Sequence, residues 1–312
     1  MSYIFEALQR AEAERVGGSL PNDADSVADL LQKVEEEIDL KQSLSELPPA
    51  ARAPVAKPES PREDSFAAAK VLLPALTADS RLVCLTDQGS LAAEKFRVLG
   101  LKLRHMRERR KLRRIAITSS IPSEGKSLVA ANLALNQSRS KVLSAVLIDG
   151  DLRRPELGRR FGFNRNLAGL SEVLRGERQL SEVVYKLKGS GLFFIPAGVT
   201  PENPIELMQS GRLQQLLEQL DTFFDWIIID TPPIRPLADT AVWMKLADGV
   251  LLVTREGVCE KKELERTVEV IDRSTVLGVV VNSCSSNEQK YYYARYGSAA
   301  NDGESSSPAA EN

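Results

Sequence analysis

The run Ala145-Val-Leu-Ile-Asp-Gly-Asp-Leu-Arg-Arg-Pro155 constrains the fold more than any other stretch of this chain. Its apolar part carries no polar residue on either face, and it stops abruptly at Asp149 and Asp151. A strand apolar on both faces belongs in a sheet covered by helices on both sides, which is the setting of parallel sheets. Trp226-Ile-Ile-Ile-Asp-Thr-Pro-Pro233 repeats the pattern and ends in Asp230. A third apolar run, Ile115-Ala-Ile-Thr118, leads into Ser120-Ile-Pro-Ser-Glu-Gly-Lys-Ser127 and then into a helical pattern. Ligands of an open parallel sheet gather outside the carboxyl ends of its strands. One loop and three acids are therefore expected on one edge.

The rest of the middle region agrees. Strands are expected at Val142 to Ile148, Leu192 to Ile195, Val250 to Thr254 and Leu277 to Val281. Helices alternate with them. Ser127 to Arg139 turns Leu128, Ala131 and Leu135 inward, Leu213, Leu216, Leu217 and Leu220 share a face, and so do Leu264, Thr267, Val268 and Ile271. This alternation predicts an α/β fold, a parallel sheet sandwiched by helices.

Gly125-Lys126-Ser127 sits between strand and helix, as a phosphate loop must. A helix N-terminus offers free N–H groups and a positive dipole to an anion. Lys126 neutralises phosphate charge, and the Ser127 hydroxyl ligates Mg²⁺. Ser120 and Ser123 stand where phosphate loops commonly have glycine. Mg²⁺ is a hard cation that keeps several waters, so Asp149, Asp151 and Asp230 suit it together with Ser127. Arg153 is placed to reach a phosphate or an acid of a neighbour.

Outside this region the chain changes character. Residues 1–18 carry one apolar helical face, which either docks on a partner or folds back on the chain's own core. A second helix is expected from Ser26 to Lys41, followed by the proline-rich stretch Pro48 to Pro61, an extended linker. Residues 1–80 hold 15 acids and 8 bases, whereas 81–114 hold 3 acids and 11 bases. The net charge of −2 names no nucleic-acid partner. Cys84, Cys259 and Cys284 lack metal-ligand spacing and read as reduced thiols of a cytoplasmic protein. No secretory signal opens the chain, and no apolar run approaches the roughly 18 residues of a membrane span. The expected division is an N-terminal region 1–80, a folded domain 81–284 and a tail 285–312 whose polar end is disordered.

These motifs resemble those of the bacterial tyrosine kinases of capsule and exopolysaccharide export, over roughly residues 81–296. Ser120 to Ser127 is similar to their phosphate loop, Leu147 to Arg153 to their distinguishing second motif, and Ile227 to Pro233 to their third. Gly169 to Glu177, Pro196 to Pro204 and Leu237 to Thr240 are similar as well. The resemblance implies a P-loop NTPase fold related to that of MinD and ParA, and autophosphorylation on tyrosine with ATP and Mg²⁺. It implies that Ser123, Glu124, Gly125, Lys126, Ser127 and Leu128 hold the phosphates, with Arg153 and Asn282 also at the nucleotide. Asp149 becomes the base for the tyrosine hydroxyl, and Asp151 and Asp230 organise the metal. The phosphoacceptors are Tyr291, Tyr292, Tyr293 and Tyr296, four of the six tyrosines. Nine residues separate Asn282 from Tyr291, a reach of about 30 Å, so transfer within one chain is open. The family works between neighbouring subunits.

The resemblance also implies partners. These are a membrane polysaccharide chain-length regulator that supplies activation, a cognate tyrosine phosphatase and further copies of the chain, at the inner face of the plasma membrane. The relatives assemble through a helix with the pattern E-x-x-R-x-x-R. Glu94 and Arg97 match it, but Gly100 replaces the last arginine. The cationic run Arg104 to Arg114 offers other contacts, to a neighbour, to acidic lipid or to a phosphotyrosine tail, or is a solvated face. Two other functions compete with the kinase. One is a partitioning ATPase of the ParA/MinD type, which carries an early lysine in its loop that is missing between Ser119 and Glu124. The other is a nucleotide-dependent scaffold of the export machine without turnover.

Overall fold

The computed structural model describes residues 66, 69–140, 142–163, 167–234 and 238–283. The expected N-terminal helices, the proline-rich stretch, Cys284 and the tail tyrosines lie outside the described residues. In chain order the elements are β1 (Lys70–Leu72), α1 (Val83–Thr86), α2 (Leu91–Arg109), β2 (Arg114–Ser119), α3 (Lys126–Gln137), β3 (Ala145–Asp149), α4 (Leu157–Arg160), α5 (Leu170–Arg175) and α6 (Leu180–Val183). They continue with β4 (Tyr185–Leu187), β5 (Leu192–Ile195), α7 (Pro204–Gln209), α8 (Arg212–Phe223), β6 (Trp226–Asp230), α9 (Asp239–Leu246), β7 (Gly249–Arg255), α10 (Lys261–Val270) and β8 (Val276–Asn282).

The strands form one sheet in the order β1-β4-β5-β3-β6-β2-β7-β8. Successive residues of a strand face opposite sides, and β6 shows why its sequence is apolar throughout. Ile228 joins one core with Leu103, Leu133, Ile117 and Leu147 under α2 and α3. Ile227 and Ile229 join another with Leu174, Leu217, Leu220 and Trp243 under α5, α8 and α9.

Four sequence expectations need correction. The sheet is not wholly parallel, because β4 and β5 run antiparallel, with Tyr185 opposite Phe194. The short connection Lys188 to Gly191 leaves no room for the crossover that parallel neighbours require. Gly189 turns it at φ 82°. The folded unit also begins before Arg81. β1 pairs with β4 from Lys70 to Leu72, and Phe66 packs its ring on Phe193, Phe223 and Phe224. The strand expected from Val142 starts at Ala145, since Val142 is 87% exposed. Finally, the helix expected to reach Arg139 ends at Gln137.

The cationic run is largely spoken for. Arg114 grips Asp221 through two nitrogens, Nε to Oδ1 at 3.1 Å and Nη2 to Oδ2 at 2.7 Å. Arg107 meets Asp225 at 3.0 Å. The backbone N–H groups of Arg113 and Arg114 both donate to Asp248 Oδ2 at 2.9 Å. Asp225 and Asp248 immediately precede β6 and β7, so these groups clasp the amino edge of the sheet, away from the acid-ended edge. Glu94 and Arg97 pair on α2. Gly100 lies where α2 meets α3. Gln137 Nε2 donates to its carbonyl at 3.2 Å, and a Cβ there would stand 2.7 Å from Asn136 Oδ1. Helix contact therefore favours glycine where the family's arginine is expected.

Candidate active site

Three strands that are neighbours in the sheet, β3, β6 and β2, deliver the expected groups to one edge. Asp149 and Asp230 are register partners at the ends of β3 and β6. Their carboxyls therefore stand side by side, and both are buried. Gly150 N–H donates to Asp230 O at 2.8 Å, while Trp243 Nε1 donates to Gly150 O at 3.0 Å. This holds the Asp149-Gly-Asp151 corner against β6 and α9.

The phosphate loop joins β2 to α3. Gly125 caps the helix at φ 93°, a backbone state open to glycine. Ser123 occupies the left-handed region at φ 69° without that freedom. The Glu124 side chain does not face a ligand. It is fully buried and braces the loop, accepting from Ile121 N–H at 2.9 Å and from Thr254 Oγ1 at 3.1 Å. Asn282 ends β8 and donates from Nδ2 to Glu124 O at 2.9 Å, so it touches the loop itself. Leu128 packs its side chain against the core under α3.

Lys126 draws these parts together. Its Nζ lies 3.1 Å from Asp151 Oδ2, 3.6 Å from Asp230 Oδ1 and 3.4 Å from Ser127 Oγ. Burial pulls the ammonium pKa down, but the charges of Asp230, Asp151 and Asp149 outweigh it and leave the pKa raised. Asp151 Oδ1 accepts from Arg154 N–H at 3.0 Å, and Asp149 Oδ2 accepts from Leu157 N–H at 3.1 Å. Burial, and then the Asp230 charge, push the Asp149 carboxyl well above the usual range against the pull of Leu157 N–H and Lys126. Burial raises Asp230 too, with Lys126 opposing. Asp149 Oδ1 and both Asp230 oxygens are buried without a hydrogen-bond partner among the described residues.

Arg153 is the expected residue that turns aside. It pairs with Asp239 at the start of α9, Nη2 to Oδ1 at 3.2 Å, rather than with an acid of the cluster. The bracing by Glu124, Thr254 and Trp243 had no signal in the sequence, because their partners lie far away in the chain.

A loop at a helix N-terminus, a buried lysine and acids on adjacent strand ends define a P-loop nucleotide-binding α/β protein. No model of a known protein family matches the sequence. Over 215 residues, 68% of the chain, it is 33% identical to the tyrosine-protein kinase YwqD of Bacillus subtilis (strain 168), covering 89% of that protein. The fold is similar to the kinase domain of Escherichia coli tyrosine kinase ETK, at 30% identity and a TM-score of 0.61, over 64% of this chain and 79% of that one. It is also similar to the chimerical protein CapA2B2, at 28% identity and a TM-score of 0.61, over 70% and 97% of the two chains. The chain belongs to the bacterial tyrosine-protein kinases. It is accordingly an enzyme that uses a nucleotide and a divalent metal.

Proposed function

We propose that this kinase transfers the γ-phosphoryl group of ATP, with Mg²⁺, to its own tyrosines Tyr291, Tyr292, Tyr293 and Tyr296. The observation that carries the reading is the meeting of Lys126 with Asp149, Asp151 and Asp230 at three adjacent strand ends. Buried carboxylate oxygens without partners suit a hard divalent cation. Among the described residues no three acids, histidines or cysteines close into a ready metal cage. Ser127 would therefore ligate the cation together with waters and phosphate oxygens, and Asp149, Asp151 and Asp230 would hold those waters. Bound there, Mg²⁺ supplies charge neutralisation and keeps the acids ionised.

The protein's own share of the work is positional. Loop N–H groups from Ser123 to Ser127 and the α3 N-terminus fix the phosphates, while Lys126 balances their charge. Asp149 accepts the proton of the tyrosine hydroxyl, whose pKa of about 10 makes a nearby base useful. As the tyrosine oxygen bonds to phosphorus, the bond to the bridging oxygen breaks and ADP leaves.

By the same resemblance, the phosphorylated tail regulates exopolysaccharide polymerisation and export, with a membrane chain-length regulator as activator and a tyrosine phosphatase as antagonist. No helix among the described residues is long and apolar enough to cross a membrane, and the kinase would reach the inner face of the plasma membrane through that partner. The test is to incubate the pure chain with Mg-ATP and map labelled residues by mass spectrometry. Label on the tail that disappears in Lys126→Met supports the reading. Label elsewhere, or label that persists in Lys126→Met, overturns it.

A further inference from the structure

The turn between Asp149 and Asp151 is held on two sides. Gly150 N–H donates to Asp230 O at 2.8 Å, and Gly150 O accepts from the indole N–H of Trp243 at 3.0 Å. Both backbone polar groups of the residue between the two acids are thus engaged. No side chain fits there, because a Cβ on Gly150 would stand 2.8 Å from Asp230 O and 2.9 Å from the Trp243 ring. Any displacement of this residue carries Asp149 and Asp151 with it.

Trp243 is itself anchored. It is fully buried on α9, in the core that holds Leu174, Leu217 and Ile229. Asp239 precedes it by four residues, which puts both on one face of the helix, and pairs with Arg153 Nη2 at 3.2 Å. Thr240 Oγ1 donates at 2.9 Å to the carbonyl of Pro232, two residues beyond Asp230. One helix therefore touches the segment 149–153 at two points and the loop after β6 at a third. A tryptophan that only fills the core can leave its N–H idle, and Trp226 is such a case. It is as deeply buried, at the opposite end of β6, and its Nε1 has no hydrogen-bond partner among the described residues.

We propose that Trp243 is a positioning residue, which fixes Gly150 and thereby aims Asp149 and Asp151 at the reacting groups. This rests on the kinase reading of the same site. Phosphoryl transfer leaves the protein mainly positioning and charge balance to supply, and a misplacement of about 1 Å costs on the order of 100-fold in rate. The phosphate loop and Lys126 do not depend on the indole N–H. Its loss therefore lowers the rate at saturating ATP and leaves the ATP requirement unchanged.

The test uses the full chain, Mg²⁺, and the variants Trp243→Phe, Trp226→Phe and Lys126→Met. The two tryptophan variants make the same change at equally buried sites, and only Trp243→Phe removes a hydrogen bond. Tail labelling is followed against ATP concentration below both melting transitions, because lost ring volume destabilises a packed core. In Trp243→Phe the rate at saturating ATP falls by about 10- to 100-fold, with half-saturation at the wild-type ATP concentration, while Trp226→Phe labels as wild type. Wild-type rates in Trp243→Phe, or equal losses in the two variants, would reduce Trp243 to core packing and overturn the proposal. A spectroscopic readout stands apart from turnover. The chain has two tryptophans, so Trp226→Phe leaves Trp243 as the sole emitter, and saturating Mg-ADP changes its fluorescence. In Trp243→Phe the emission of Trp226, about 13 Å along β6 from Asp230, stays constant. Should Trp243→Phe fail to fold, the Trp226→Phe spectra decide, and an unchanged Trp243 emission overturns the proposal. If Lys126→Met is inactive while Trp243→Phe labels the tail normally, only the role of Trp243 falls. If Lys126→Met still labels the tail, the kinase reading falls with it.

Discussion

Replacing Asp149 by asparagine is expected to stabilise the ligand-free enzyme while removing its proposed base. Asp149 and Asp230 face each other as buried register partners, and one lysine serves three acids. Three carboxylate oxygens, Asp149 Oδ1 and Asp230 Oδ1 and Oδ2, lack hydrogen-bond partners among the described residues. Burial and the Asp230 charge hold the Asp149 pKa above its unfolded value. The folded state therefore binds this proton more tightly than the unfolded state does. Stability falls as pH rises from the ordinary carboxylate pKa of about 3.9 towards the raised folded value, and the loss is complete above it.

Asparagine keeps an acceptor for Leu157 N–H and offers an N–H₂ donor to Asp230. Relieving one unsatisfied buried polar group amounts to about 1–3 kcal/mol. A domain of this size gains 2–4 °C per kcal/mol, so the rise is roughly 2–12 °C. Circular dichroism melts in EDTA at pH 7.5 and at lower pH would measure it. The advantage is largest at pH 7.5 and shrinks on acidification, as native Asp149 takes up its own proton. A variant that melts at or below wild type at pH 7.5, or an advantage that does not change with pH, refutes the reasoning.

Other perturbations reach other parts of the molecule. Lys126→Met leaves buried acids without their cation and should cost about 3–5 kcal/mol in urea unfolding at neutral pH, with the deficit narrowing at acid pH as the acids protonate. Ser123→Gly removes a left-handed strain of about 1–2 kcal/mol, against a glycine entropy cost of about 0.5–1 kcal/mol. A net gain of about 0.5 kcal/mol is expected, and any destabilisation in the same assay counts against the loop geometry. Arg114→Ala breaks the two-nitrogen grip on Asp221 at the amino edge and should lower the urea midpoint by the equivalent of about 1.5–3 kcal/mol, with nucleotide affinity intact. Cys84 is buried and its thiol is pushed up to about 11, so pulse alkylation of the native protein at pH 8 should leave it unmodified until denaturant is added.

Much of the sheet is legible in the residues because its signals are local. Ile115 to Thr118 and Trp226 to Ile229 are apolar on both faces, and Gly125-Lys126-Ser127 marks a turn from strand into helix. Such patterns also predict that acids at strand ends share an edge. The failures are short elements. Lys70–Leu72 and Tyr185–Leu187 have three residues each, too few to show a period, and pairing alone makes them strands. The arginines from Arg104 to Arg114 read as a free basic face, yet Asp221, Asp225 and Asp248, more than a hundred residues away, claim Arg107, Arg113 and Arg114.

The candidate site divides in the same way. Sequence alone singled out the residues proposed to carry the chemistry, Lys126, Ser127, Asp149, Asp151 and Asp230, because a phosphate loop and a strand end are defined by neighbours in the chain. Only the tertiary structure decided that Asp149 and Asp230 are register partners, that Glu124 turns inward as a brace, and that Arg153 goes to Asp239. Charge and hydrogen bonding depend on distance in space. Spacing along the chain carries that information only where the backbone itself is the ruler.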